Sequence, residues 1–230
     1  MIKITAALFD LDGTLADSLT DIAGGANHSL AACGYPARRI DDFKSLVGDG
    51  LTSLIIRLLP EDANTQEIIE KIRGLWLGYY GEHCLDTTRP YDGMPETLAE
   101  LKKRGVKLAV ITNKQQEIAQ KIVRALYGAD MFDCVLGIRT GVPVKPDPFL
   151  AFEALRICGI TDGRGADRFD NKKFDTVVYV GDTATDMLTA KNSGCVPVGA
   201  LWGFRTLNEL REAGAEYLLE KPADLLEICS

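Results

Sequence analysis

Apolar residues in this chain gather in short, nearly unbroken runs: residues 3–10 (KITAALFD), 106–113 (VKLAVITN), 132–138 (FDCVLGI), 175–182 (DTVVYVGD) and 196–201 (VPVGAL). A strand with one wet face alternates apolar and polar positions. These runs do not, and so predict strands covered on both faces, as in a parallel sheet. Between them the period changes. Residues 95–105 (PETLAELKKRG) open with proline and close with glycine, the usual asymmetry of a helix. Residues 116–128, 149–159 and 184–194 carry helical patterns that also end in glycine. Strand and helix in alternation imply right-handed crossovers and an α/β fold with a doubly wound, mostly parallel, Rossmann-like sheet.

The alternation stops between residues 16 and 90. Segments 21–34, 50–60 and 65–84 read as three or four helices with no strand among them. The expected organisation is therefore an α/β core of residues 1–15 and 91–230, with a helical cap of residues 16–90 inserted after the first strand. The chain would cross between the two near Ala16 and Pro90, a two-stranded hinge. Residues 161–175 (TDGRGADRFDNKKFD) are polar and glycine-containing and predict an exposed loop.

Composition changes this picture little but excludes partners. The net charge of −7 argues against nucleic acid or an anionic membrane surface, which select basic patches. An acidic protein with an anionic ligand needs a local positive centre, such as a metal ion. The first residues lack the shape of a signal peptide, and no run of about 18 apolar residues is present. The six cysteines are scattered without a CxxC pair, as expected of free thiols in the reducing cytoplasm.

The polar residues at the strand ends carry the chemistry. Ligands of an open parallel sheet bind beyond the carboxyl ends of its strands. There the sequence delivers Asp10 and Asp12, then Thr112 and Asn113, then Lys145 before Pro146, then Asp182 with Asp186 four residues on. Each alone reads as a helix cap or a turn residue; together they converge on one edge. Two carboxylates about 4 Å apart repel by roughly 4 kcal/mol at an effective dielectric of 20. Lys145 alone does not offset four of them, whereas a divalent cation does. All-oxygen ligands suit Mg²⁺.

The motifs DLDGTL (10–15), ITN (111–113), KP (145–146) and GDTATD (181–186), in that order and with a helical insert after the first, resemble the four motifs of the haloacid dehalogenase superfamily. With LVGDGL (46–51), RPYDGM (89–94) and WGF (202–204), the chain is similar to the phosphoglycolate phosphatases within it. The resemblance implies a Mg²⁺-dependent phosphatase acting on a small phosphorylated metabolite. It implies Asp10 as nucleophile, forming an aspartyl-phosphate. Asp12 would be the general acid/base, its backbone carbonyl on the metal and its carboxyl free. It further implies that Gly13 permits a sharp turn whose N–H groups meet phosphate, that Thr112 and the Asn113 N–H bind the transferring oxygens, and that Lys145 neutralises them. Asp182 would ligate the metal, and Asp186 would hold it through water or orient Lys145. Aspartate at position 12 favours a phosphate ester or anhydride over a carbon–halogen or carbon–phosphorus bond. A phosphosugar mutase or a pyrophosphatase would use the same core. A receiver-type signalling domain would share the acids, threonine and lysine but be about half as long. The expected assembly is a monomer or homodimer.

Other signals point mainly to packing. His28 and His83 read as ordinary surface or packed histidines, and Trp76, Tyr79 and Tyr80, at helical spacing, as the core of the insert. The segment around Asp49 reads either as an interhelical turn or as a loop that selects substrate. Lys44 and Arg57 offer positive charge for a second anionic group on the substrate.

Overall fold

The computed structural model describes residues 3–160 and 173–229. The expected loop at 161–175 lies, up to residue 172, outside the described residues. The strands of the main sheet are β1 (Ala6–Phe9), β2 (Lys107–Gln115), β3 (Cys134–Ile138), β4 (Phe174–Gly181), β5 (Cys195–Ala200) and β6 (Tyr217–Leu219). The helices are α1 (Leu19–Ala32), α2 (Phe43–Leu46), α3 (Leu51–Leu58), α4 (Gln66–His83), α5 (Met94–Lys103), α6 (Gln116–Tyr127), α7 (Phe149–Ile157), α8 (Ala184–Ser193), α9 (Leu207–Ala213) and α10 (Leu225–Ile228). The chain divides into two compact units, one formed by Met1–Ala16 with Pro90–Ser230 and the other by Asp17–Arg89. Two-residue strands, Ala16–Asp17 and Arg89–Pro90, pair where the chain passes between them. Among the described residues, no helix is long and apolar enough to cross a membrane.

The first unit holds a six-stranded sheet in the order β3-β2-β1-β4-β5-β6, every neighbouring pair parallel. This is the doubly wound order, with helices at the crossovers. The apolar runs become strands because both faces are covered: all four residues of β1 are fully buried. On one face Leu8, Ile111 and Tyr179 pack with Leu150, Ala154 and Leu155 of α7. Register places Phe9 beside Val110 on one side and Val180 on the other, so Asp10, Thr112 and Asp182 come to the same edge, and β2 itself runs on to Gln115. β6 and the helices α9 and α10 were not predicted. β6 is only three residues long, YLL, too short to show a period. The signature of α9 is a capping box, in which Thr206 and Glu209 bond each other's backbone N–H groups.

The second unit is helical, as expected. Helices α1 and α4 approach closely at Gly25, where a Cβ would stand 3.0 Å from Trp76 Nε1 and 3.3 Å from the Tyr80 Cβ. Trp76 and Tyr80 are buried and stacked at 4.2 Å. Tyr79 stacks on His28 at 4.2 Å and on His83 at 4.1 Å, and His83 Nδ1 lies 2.8 Å from Asp86 Oδ2. Ring packing thus accounts for this set. Arg57 donates to Asp49 and to the Leu46 carbonyl (2.8 Å), tying the loop before α3.

Asp21 in the first turn of α1 fastens this unit. Its carboxylate accepts from the N–H groups of Thr87 (3.0 and 3.1 Å) and Thr88 (2.9 Å) and from their hydroxyls (2.6 and 2.7 Å). Burial alone would push its pKa up. The bonds from Thr87 and Thr88 outweigh that and hold it below the ordinary 3.8. Asp21→Ala is expected to lower the unfolding free energy by about 2–4 kcal/mol at pH 7. The folded carboxyl holds its proton less tightly than the unfolded one. Its contribution is therefore complete above the unfolded pKa and is lost as pH falls through the lower folded value. Urea denaturation of wild type and variant at pH 7 and pH 3 checks both statements: the difference between the two chains is largest at pH 7.

Candidate active site

Asp10 follows β1 directly and is still laddered to β4, its N–H donating to the Val180 carbonyl at 2.9 Å. The chain then folds onto the carbonyl of buried Leu11, which accepts from Thr14, Leu15 and Ala16. Gly13 turns this corner with φ +83°, and a Cβ there would stand 2.2 Å from Asp182 Oδ2. Glycine is therefore required both by conformation and by space. The segment WGF closes the other side: Trp202 Nε1 donates to the Thr14 carbonyl (2.9 Å) and Phe204 N–H to Asp182 Oδ2 (2.8 Å). Thr14 Oγ1 donates to Asp182 Oδ1 at 3.0 Å.

Asp186 reaches the same place through the capping box of α8. Its Oδ2 accepts from Thr183 N–H (3.0 Å) and Thr183 Oγ1 (2.7 Å), which leaves Oδ1 for Lys145 Nζ at 2.7 Å. Lys145 Nζ also lies 2.8 Å from Asp10 Oδ1 and 3.3 Å from the Ile111 carbonyl. Asn113 clamps the lysine's backbone, donating from Nδ2 to Lys145 O (3.2 Å) and accepting from Lys145 N–H at Oδ1 (2.9 Å). Thr112 is buried and accepts from Lys114 N–H at 3.2 Å.

Oxygens of Asp10, Asp182 and Asp186 all lie within 4.8 Å of one another. Three carboxylates meet here rather than four. The Asp12 side chain turns to Lys114, with Oδ2 3.0 Å from Nζ. Burial, then Asp186, raises the Asp10 pKa to about 7 against the pull of Lys145. Burial, then Asp186 and Asp10, pushes Asp182 well up. Lys145 feels burial in the opposite sense, but Asp10 and Asp186 prevail and hold it charged. With all three acids ionised, one ammonium leaves a net charge of −2, which a divalent cation would balance and which, without one, burial and repulsion resist by raising the Asp10 and Asp182 pKa values. The donor set, all oxygen and already converged, fits such an ion.

The residues expected from strand ends, Asp10, Asp12, Gly13, Thr112, Asn113, Lys145, Asp182 and Asp186, lie along this one edge. Sequence reasoning missed four features: Lys114, the clamp formed by the Asn113 side chain, Thr14 beside Asp182, and Gly203. A Cβ on Gly203 would stand 2.3 Å from the Asp182 Cβ. Lys44 and Arg57 pair instead within the helical unit, with Asp41 and Asp49.

Residues 7–200 match the family described as haloacid dehalogenase-like hydrolase. The chain is 34% identical over 215 residues to a phosphoglycolate phosphatase of Neisseria meningitidis, covering 92% of this chain and 86% of that one. It is 33% identical over 221 residues to a phosphoglycolate phosphatase of Aquifex aeolicus, covering 96% and 94%. A solved structure from Lactobacillus delbrueckii subsp. bulgaricus superposes with a TM-score of 0.88 at 27% identity, covering 99% and 98% of the two chains.

The packing around the acids has a direct test. A Cβ on Gly181 would stand 2.2 Å from the Asp186 Cβ, whereas Gly24 in α1 has nothing within 4 Å. Gly181→Ala is expected to cost about 1–3 kcal/mol and Gly24→Ala to be neutral or slightly stabilising. Thermal unfolding of the two variants beside wild type makes the comparison.

Proposed function

The chain belongs to the haloacid dehalogenase-like hydrolase family and is a phosphoric monoester hydrolase, and from that premise we propose that it hydrolyses a small phosphorylated metabolite, 2-phosphoglycolate first, through an aspartyl-phosphate on Asp10. The observation that carries the reading is the buried array in which one ammonium bridges Asp10 and Asp186 beside Asp182. An Asp10 oxygen attacks phosphorus as the bond to the leaving oxygen breaks, and Asp12 donates its proton to that oxygen. The alcohol leaves with that proton; water then attacks phosphorus, Asp12 takes a proton from this water, and the bond from phosphorus to Asp10 breaks to release phosphate with Asp10 regenerated. Lys145 offsets charge on the phosphoryl oxygens and keeps Asp10 oriented. Thr112 and the backbone N–H of Asn113 meet the same oxygens, and the turn at Gly13 offers further N–H donors. Mg²⁺, held by Asp10, Asp182, Asp186 and the Asp12 carbonyl, would neutralise the anionic ester and the acids around it. Residues 16–90 are the cap in this reading, and the enzyme is cytoplasmic, without nucleic-acid or membrane partners.

Asp10→Asn is expected to reduce turnover by about three orders of magnitude or more. Chelation of divalent cations is expected to abolish phosphate release, and added Mg²⁺ to restore it. Phosphate release from a panel of phosphorylated metabolites, with and without Mg²⁺, measures both; unchanged turnover in the variant overturns the nucleophile assignment. Asp12→Asn is expected to slow alkyl phosphates, whose leaving groups need a proton, more than aryl phosphates. Equal slowing of the two counts against the acid role.

A further inference from the structure

Two lysines are buried at the edge that bears the acids, and the reaction as described uses one of them. Lys145 is engaged by Asp10 and Asp186, the phosphoryl side. The other, Lys114, has a side chain only 4% exposed, and its Nζ stands 3.0 Å from Asp12 Oδ2. Burying an ammonium beside a carboxylate carries a desolvation cost that apolar residues of the same size avoid, so its presence calls for a use.

The backbone is shaped to bring it there. Between Ile111 and Gln115, β2 advances four residues while its partner β3 advances two, from Leu136 to Ile138. In a regular strand neighbouring side chains point to opposite faces. Within this bulge Asn113 reaches the Lys145 backbone, Lys114 reaches Asp12, and both side chains are buried. Bulges next to active sites re-aim side chains in this way. The bulge is locked from β3: Gln116 donates to the Val135 carbonyl (2.7 Å) and accepts from Gly137 N–H (2.6 Å). A Cβ on Gly137 would stand 2.5 Å from the Lys114 carbonyl oxygen. Lys114 is thus a fixed point charge rather than a mobile surface lysine.

Its location sets what it can recognise. An acid that protonates the leaving oxygen approaches it to about 3 Å, and Lys114 lies one further hydrogen bond away. In an ester whose alcohol carries a carboxylate on the carbon next to the ester oxygen, the carboxylate oxygens fall about 3 Å from that oxygen by ordinary bond lengths. They are then within reach of the Lys114 ammonium. We propose that Lys114 recognises this anionic group, so that the enzyme selects phosphate monoesters of α-hydroxy acids over uncharged esters of the same length. The assignment rests on Asp12 as the acid and on the phosphatase reading above.

The test compares 2-phosphoglycolate with 2-hydroxyethyl phosphate, which replaces the carboxylate by a neutral hydroxymethyl group. Wild type is expected to favour the carboxylate by at least tenfold in kcat/KM. Lys114→Met is expected to reduce that ratio by about tenfold or more, and Lys114→Arg to retain most of it. A loss common to both esters cancels in the ratio, so a lysine that only positions Asp12 leaves the ratio unchanged, and that result overturns the proposal. Binding gives a second readout: with Asp10→Asn as background, calorimetry is expected to show 2-phosphoglycolate weakened about tenfold by Lys114→Met and 2-hydroxyethyl phosphate little changed. A wild type that hydrolyses both esters equally well overturns the role of Lys114 and leaves the phosphatase reading standing. A wild type that hydrolyses neither overturns the substrate reading itself. Neither result needs a folded variant.

Discussion

Like charges held together away from water are what the rest of this structure answers to. Asp10, Asp182 and Asp186 are each almost wholly buried, and one ammonium, that of Lys145, bridges two of them. Desolvation and mutual repulsion act on these acids in the same direction, and only fixed partners oppose them. The surroundings supply such partners at every side: a capping box for Asp186, a hydroxyl and a backbone N–H for Asp182, a clamped lysine for Asp10. Glycines at 13, 181 and 203 leave the volume that the carboxylates occupy. Repulsion of this kind is tolerable where fixed hydrogen-bond partners and a buried sheet hold the acids in place. The strands that lead to Asp10, Thr112 and Asp182, β1, β2 and β4, are adjacent and interior in the sheet.

The parts of the fold that were legible in the sequence are those whose physics is local. Apolar runs such as 175–182 identify buried strands because a strand covered on both faces has no polar side. Glycines 128, 159 and 194 identify helix ends because the chain turns there with positive φ. Strand β6 was not legible, since three residues at a sheet edge carry no period. The helix α9 announced itself only by a threonine and a glutamate three apart.

The site was legible as a list of strand-end residues but not as a geometry. Asp10, Lys145 and Asp182 follow from topology, because they come after β1, β3 and β4 of one parallel sheet, at its carboxyl edge. That the Asp12 carboxylate pairs with Lys114 and not with the three clustered acids' lysine does not follow, because it depends on the loop that winds onto the Leu11 carbonyl. Lys114 was missed for a related reason. Spacing along a regular strand gives no hint of the bulge that redirects it, and the bulge is visible only in the unequal advance of two neighbouring strands. The role of Asn113 was expected of its backbone, and its side chain proves to hold the lysine next door in space but 32 positions away in sequence.

The central position of β1 bears on how the protein is made. Its partners are β2, about a hundred residues later, and β4, which begins to pair at Val177. On a ribosome adding 5–20 residues per second, roughly ten to thirty seconds pass before the far partner has been synthesised. Until then the nascent chain has its first aspartates but neither Asp182 nor Asp186 to set beside them. The cluster of Asp10, Asp182 and Asp186 is therefore completed late in translation, and a product truncated before β4 is without it.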